Sequence, residues 1–181
     1  MSIKANLLAR CVTLFFMLSA FPAAAQKLSD LEPAGPAVEP KITKVGDWSL
    51  VCNPDGGQCA MTQLGKDPDG SPAIEFVVRK INDDSAEING VKVDAVADII
   101  TPLGVLLDFG LQLQIDTGEP RSAPFRICQA QGCLVREPLS SEVIDLLKGG
   151  NIALVTVAAE GAGAIDIEIS LRGFTKAYNS L

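Results

Sequence analysis

The sequence predicts an all-β chain: a single antiparallel β-sandwich or barrel-like domain with one short helix near 141–148 and a candidate second helix at the C-terminus. Three observations predict it. Short apolar, β-branched runs recur along the chain, several with strict alternation, and Gly-, Pro-, Asn- and Asp-rich turns separate them. The recurring crossover helices that a parallel α/β sheet needs are missing between them. The 181 residues, 48% apolar and 20% charged, suit one ordinary core.

The first segment reads as a targeting signal. Lys4 and Arg10 form a basic start, residues 12–20 are an apolar run, Pro22 breaks it, and Ala23, Ala24 and Ala25 supply small side chains. That pattern is a secretory signal peptide over residues 1–25, with cleavage expected between Ala25 and Gln26. The run falls far short of the ~20 residues that span a bilayer. Cys11 precedes it, so a lipoprotein cleavage site there is excluded. Removing two basic residues and no acidic ones takes the net charge from -7 to -9 and leaves 156 residues. None of these forms a run apolar enough to cross a membrane as a helix. Residues 26–40 read as a stiff leader, because three prolines and a glycine crowd residues 32–40 and exclude a helix or a central strand. The folded domain is expected over residues 41–181.

Within that domain, residues 45–51 form an expected strand carrying Trp48 and Leu50. Residues 59–64 return after the Asp55-Gly56-Gly57 turn, completing a first hairpin. A turn over residues 67–72 leads to a strand over 74–81. Asn82-Asp83-Asp84 and then Asn89-Gly90 turn the chain again. Along residues 91–100, Val91, Val93, Ala95 and Ala97 alternate with Lys92, Asp94 and Asp98, which places the charged set on a polar face. The apolar run 103–107 leads into Asp108-Phe109-Gly110. Beyond it Leu111, Leu113 and Ile115 should face the core, with Gln112 and Gln114 outward. Residues 124–128 and 133–136 are strands around a cysteine pair. Ser140 can cap a helix whose broad face carries Val143, Ile144, Leu146 and Leu147, with Glu142 at its start and Lys148-Gly149 at its end. Strands follow over 152–158 and 165–169, the latter with three isoleucines inward and Asp166 and Glu168 outward. The tail 172–181 suits a short helix with Phe174, Ala177, Tyr178 and Leu181 inward, although Gly173 weakens it.

Four cysteines remain after signal removal: Cys52, Cys59, Cys128 and Cys133. An even count in an exported chain argues for disulfides. Three pairings are open. Local bonds Cys52–Cys59 and Cys128–Cys133 are favoured because each pair flanks a turn; the crossed pairing would join the two halves of the domain. Zinc fits poorly, since the spacings are six and four intervening residues and no histidine is present.

Composition excludes more chemistry than it offers. A pI near 4.6 does not suit a nucleic-acid binder. The absence of histidine removes the usual base of Ser and Cys triads. Paired carboxylates remain as acid/base groups for glycoside chemistry; Asp94 and Asp98 are the candidate pair, with a solvated face as the plainer reading. Asp67-Pro68-Asp69-Gly70 invites calcium, but the twelve-residue loop pattern fails at Pro72 and Val78. Arg121 and Arg126 either pair internally or mark a contact surface, and Trp48 is expected in the core. No metal site and no cofactor are expected.

Gly46-Asp47-Trp48 with Cys52 following, the 103–107 run, residues 110–116, Pro124-Phe125-Arg126-Ile127-Cys128 with Gly132-Cys133, and Arg172-Gly173-Phe174 within 170–177 occur in an order that resembles the invasion-associated locus B family. The resemblance spans about residues 45–181 and leaves the leader outside. It implies an exported protein of Gram-negative, typically alphaproteobacterial, cells, periplasmic or peripherally associated with the outer membrane. It carries over no catalytic residues. By position it carries the four cysteines and the structural positions Gly46, Asp47, Trp48, Arg172, Gly173 and Phe174. The expected function is therefore a non-enzymatic envelope module that binds an unidentified envelope protein or glycan, in a family linked to host-cell invasion in some pathogens. The alternative is an envelope polysaccharide hydrolase using paired carboxylates.

Overall fold

A computed structural model describes residues 39–181 except Asp84 and Asn89. The signal segment, its Ala25–Gln26 junction and most of the leader lie outside the described residues. The elements run β1 (Lys41–Val45), β2 (Trp48–Cys52), β3 (Cys59–Lys66), β4 (Pro72–Lys80), β5 (Glu87–Ile88), β6 (Val91–Lys92), β7 (Ala95–Thr101), β8 (Leu111–Ile115), β9 (Arg121–Ala123), β10 (Phe125–Gln129), β11 (Gly132–Leu139), α1 (Ser141–Gly149), β12 (Ile152–Ala159), β13 (Gly163–Ser170) and α2 (Phe174–Tyr178). A 3-10 turn covers Leu107–Phe109.

All strand pairs are antiparallel. Eleven strands form one sheet with the path β10-β11-β7-β4-β3-β13-β12-β8-β9, while β5 and β6 make a separate small hairpin. The path is nearly closed. Its two ends, β9 and β10, are consecutive in the chain and joined only by Pro124, so the chain steps from one edge of the sheet to the other at a residue that cannot donate to a ladder. There β9 comes back alongside β11. The result is a barrel-like all-β fold, as the alternation predicts.

The remaining two strands make the barrel fork. β2 pairs with the first part of β3, Ser49 opposite Thr62 through Cys52 opposite Cys59. β13 pairs with the same strand only at its end, Glu168 opposite Lys66. β1 pairs with β2 alone.

Inward positions follow the period of two. Met61, Phe76, Val78, Ala97, Ile99, Leu111, Val135, Val155, Ile167 and Ile169 are buried in one cluster around Trp48. Trp48 makes edge contacts with Phe76 and Phe174, ring centres 6.0 and 5.3 Å apart. Helix α1 buries Val143, Ile144 and Leu147, and the Ser140 hydroxyl accepts from the Val143 amide at 3.5 Å. Leu146, expected on that face, is 47% exposed: at 100° per residue it falls at the edge of the stripe that Val143, Ile144 and Leu147 define. Helix α2 buries Phe174, Ala177 and Tyr178 as expected. Gly173 does not weaken it, because Gly173 stands before the helix at φ +91° rather than inside it.

Two strand expectations change. The strand over 45–51 is interrupted, since Gly46 and Asp47 form a two-residue turn with Val45 opposite Trp48. A glycine–aspartate pair between two apolar runs is a hairpin signal. The strand over 91–100 is split between β6 and β7, and Val91 is 54% exposed. In the apolar run 103–107 only Val105 packs inward, while Leu103, Leu107 and the following Phe109 are more than half exposed. The loop is tied down by its backbone, with Leu106 N donating to Ala158 O and Glu160 N to Gly104 O.

Both disulfides are local, Cys52–Cys59 and Cys128–Cys133, each with Cα atoms 4.0 Å apart. Each joins residues directly opposite in a hairpin, so each pins a register that the strands already share. Replacing Cys52 and Cys59 together by serine should lower unfolding free energy by about 2 kcal/mol, from the chain entropy of a short closed loop. Urea unfolding followed by the single tryptophan measures it; loss of the fold would show that the bond builds the hairpin rather than pinning it.

Candidate functional site

Two of the segments that carry the resemblance, Gly46-Asp47-Trp48 and Arg172-Gly173-Phe174, are far apart in sequence and meet at the fork. β13 ends at Ser170 and β2 begins at Trp48 on the same edge of β3. The Ser170 backbone has no strand partner on that side. The Gln63 side chain supplies one: its Nε2 donates to Ser170 O at 3.0 Å and its Oε1 accepts from Ser170 N at 2.7 Å. Trp48 Nε1 donates to the same carbonyl at 3.0 Å.

Asp47 completes the junction. Its amide donates to Arg172 O at 3.1 Å, and its carboxylate accepts from Ser170 Oγ at 2.6 Å, from Arg172 Nε at 3.0 Å and from Arg172 Nη2. The Arg172 hydrogen bonds first, then the Ser170 bond, hold the carboxyl down at about 2 against its ordinary 3.8. Gly46 and Gly173, at φ +65° and +91°, lie back to back. A Cβ on Gly46 would stand 2.5 Å from Arg172 O, and one on Gly173 would stand 2.5 Å from Val45 O. Only glycine fits on either side. The two motif triplets are thus two halves of one clasp.

Sequence reasoning missed Gln63. Its signal was a polar residue at an inward position, between Met61 and Gly65. Gly65 was missed as well: a Cβ there would come within 2.7 to 2.8 Å of Ile169, Ile167 and Ile74, so its absence lets β13 cross closely over β3.

Beside the clasp the fork leaves an open groove of about 1070 Å³ on the outside of the barrel. Leu64, Ile152 and Leu154 form its apolar part, with Leu64 58% and Ile152 40% exposed. Lys44 and Lys66 line it together with the acidic Asp166 and Glu168. Lys66 and Glu168 stand opposite in register, and Asp166 accepts from Thr156 Oγ1 at 2.6 Å.

The proposed carboxylate pair is not a pair. Asp94 precedes β7 and lies 3.6 Å from the Lys92 ammonium. Asp98, expected on a solvated face, is 5% exposed, because Arg79 and Arg136 close over it. Arg136 Nε and Nη2 donate to its two oxygens at 2.6 and 2.9 Å, and Arg79 Nη2 donates to Oδ2. Both oxygens of Asp98 are thus taken up by guanidinium donors, and Asp94 does not share them. Glu137, half-buried near Arg121, has its carboxyl pushed up by burial, while Arg121 and Arg126 oppose that shift. The Asp67 loop is an Asx turn: Asp67 Oδ1 accepts from the amides of Asp69 and Ser71 at 3.0 and 2.8 Å. Among the described residues no three His, Cys, Asp or Glu side chains converge to hold a metal.

The family model for invasion associated locus B protein matches residues 48–181. The chain belongs to the invasion associated locus B family. A relative from Brucella abortus, described as an invasion protein B homolog, is 28% identical over 138 residues and 75% of each chain. The crystal structure of invasion associated protein b from Bartonella henselae superposes with TM-score 0.62 at 22% identity, over 77% of this chain and 94% of that one, and shares the fold. The family match begins at Trp48, so it holds the Arg172 side of the clasp and begins one residue after Asp47 on the other.

Two predictions follow from the clasp. Gly173→Ala should cost at least about 2 kcal/mol, because a positive φ and a backbone clash act together, whereas Gly161→Ala, with positive φ but open space, should cost about 1 kcal/mol. Equal losses in urea unfolding would remove the close approach as a constraint. Asp47→Asn tests the carboxylate. A depressed carboxyl adds stability above its unfolded pKa and loses it as pH falls through the folded one. The gap in stability between wild type and variant should be constant near neutrality, shrink between 3.8 and about 2, and vanish below.

Proposed function

We propose that this IalB-family chain is an exported periplasmic domain that acts by binding another component of the bacterial cell envelope and not by catalysis. The groove beside the clasp carries the reading. It is open, about 1070 Å³ in volume, and it combines an apolar strip with charges of both signs. Its walls are strands and a turn held by backbone ladders, so little ordering entropy opposes a ligand. The signal-like start and the two disulfides support export, since such bonds persist in oxidising compartments. No helix among the described residues is long and apolar enough to cross a membrane. The names of the relatives record invasion for those proteins alone.

The test is in-cell crosslinking in the bacterium that encodes the chain, with an affinity tag in the open turn around Gly161. The C-terminus is unsuitable, because Phe174 and Tyr178 are packed in the core. A reproducible partner from the periplasmic fraction, lost on Leu64→Arg with Ile152→Arg, is the expected result. A partner set the same as that of an unrelated exported protein would end the binding reading. Intact mass of the purified protein should lack residues 1–25; a full-length mass in the cytoplasmic fraction would end the export reading.

A further inference from the structure

The outer face of β4, β7 and β11 does not look like a surface made for water alone. Outward positions on β8 and along β13 are polar: Gln112 and Gln114 on the first, Asp166 and Glu168 on the second. On this face the register lines up Ile127, Leu134 and Ile100 in one row across three strands. Pro138 and Val96 pair in a second row, four residues away along the strands. Between these apolar rows lies Arg136 opposite Asp98, with Arg79 reaching in from β4. Ile127 is 51% exposed, and both guanidiniums are about half exposed, at 47% and 49% of their side chains.

Asp98 makes this centre unusual. A charge buried on a sheet's outer face costs desolvation, and such pairs are weak sources of stability. What the burial does achieve is positional: one carboxylate holds two guanidiniums side by side that would otherwise repel. Each guanidinium has five N–H donors. Asp98 engages two from Arg136 and one from Arg79. The remaining donors are fixed in place, and the cluster carries a net positive charge on a chain whose overall charge is -7. Glu75, at the end of the Ile100 row, is the acidic group on the same face, and its carboxylate is engaged by Thr62 Oγ1 at 2.8 Å.

We infer that this face is a docking surface for a protein segment that presents an aspartate or glutamate carboxylate between apolar side chains, the carboxylate seating on Arg79 and Arg136. Charge complementarity selects the acid, since paired N–H donors match a carboxylate. The flanking apolar rows select protein over glycan, and Arg within an apolar surround is the composition of interface centres. The inference rests on the binding reading above and names the surface and partner chemistry for it.

The experiment places a photo-crosslinking amino acid at Ile127 on this face, and separately at Ile152 in the groove, in the full chain in its own cells. The expected result is an adduct from Ile127 whose crosslinked partner peptide carries an Asp or Glu. Its yield should fall at least about five-fold on Arg136→Gln, as for loss of a charge-assisted pair worth about 1 kcal/mol or more. Should that variant fail to fold, the unaltered chain in isolated envelopes serves instead: the Ile127 adduct should weaken from about 0.05 M to about 0.5 M salt, because screening shortens the reach of the charges. An adduct indifferent to both, or a partner peptide without an acid, overturns the inference. Adducts from Ile152 and none from Ile127 overturn this surface and leave the binding reading standing, whereas none from either position overturns both.

Discussion

The join at Ser170 is the constraint on which the rest of the barrel depends. A sheet that curls into a barrel must satisfy the backbone groups along its closing edges or leave them costly and unpaired. Here β13 touches β3 by one register pair, and its last residue leaves the ladder. Gln63 restores the two missing hydrogen bonds with its amide, Trp48 adds a third, and Asp47 ties the serine hydroxyl and Arg172 to the first hairpin. None of these bonds would form if the two backbones could not approach, and the paired glycines at 46 and 173 permit that approach. The clasp then sets Phe174 against Trp48, so a polar junction at the surface fixes the aromatic centre of the core.

The surfaces follow from the same geometry. Because β2 and β13 share one edge of β3, the sheet cannot continue smoothly there, and the fork opens the groove. Because the other end of the path closes through Pro124, β10 and β11 bring Ile127 and Arg136 onto the outer face shared with β4 and β7. Two faces of different character result, one mixed in charge and concave, the other apolar with a fixed cationic centre.

Much of this was legible in the residues. The alternation in 111–115 and 165–169 placed its inward and outward side chains correctly, since a half-buried strand imposes a period of two. The Ser140 cap marked the start of α1, and the turns between the cysteines marked both disulfides. The errors have a common source. Residues 91–100 alternate cleanly, yet Asp98 is buried on the outward side, because arginines from two neighbouring strands cover it. Gln63 was passed over because its partner, Ser170, is 107 residues away.

Strands, turns, caps and cysteine pairs depend on residues a few positions apart, so the pattern of the chain specified them: an all-β domain with two short helices and two pinned hairpins. Which face of an outward strand is wet, which carboxylate is locked, and which glycines touch depend on contacts between residues some 20 to 125 positions apart. Local periodicity carries no information about which neighbour a strand will meet. The barrel's pairing order supplied it, converting Asp98 from a surface acid into an anchor for two arginines and two separate sequence triplets into one clasp.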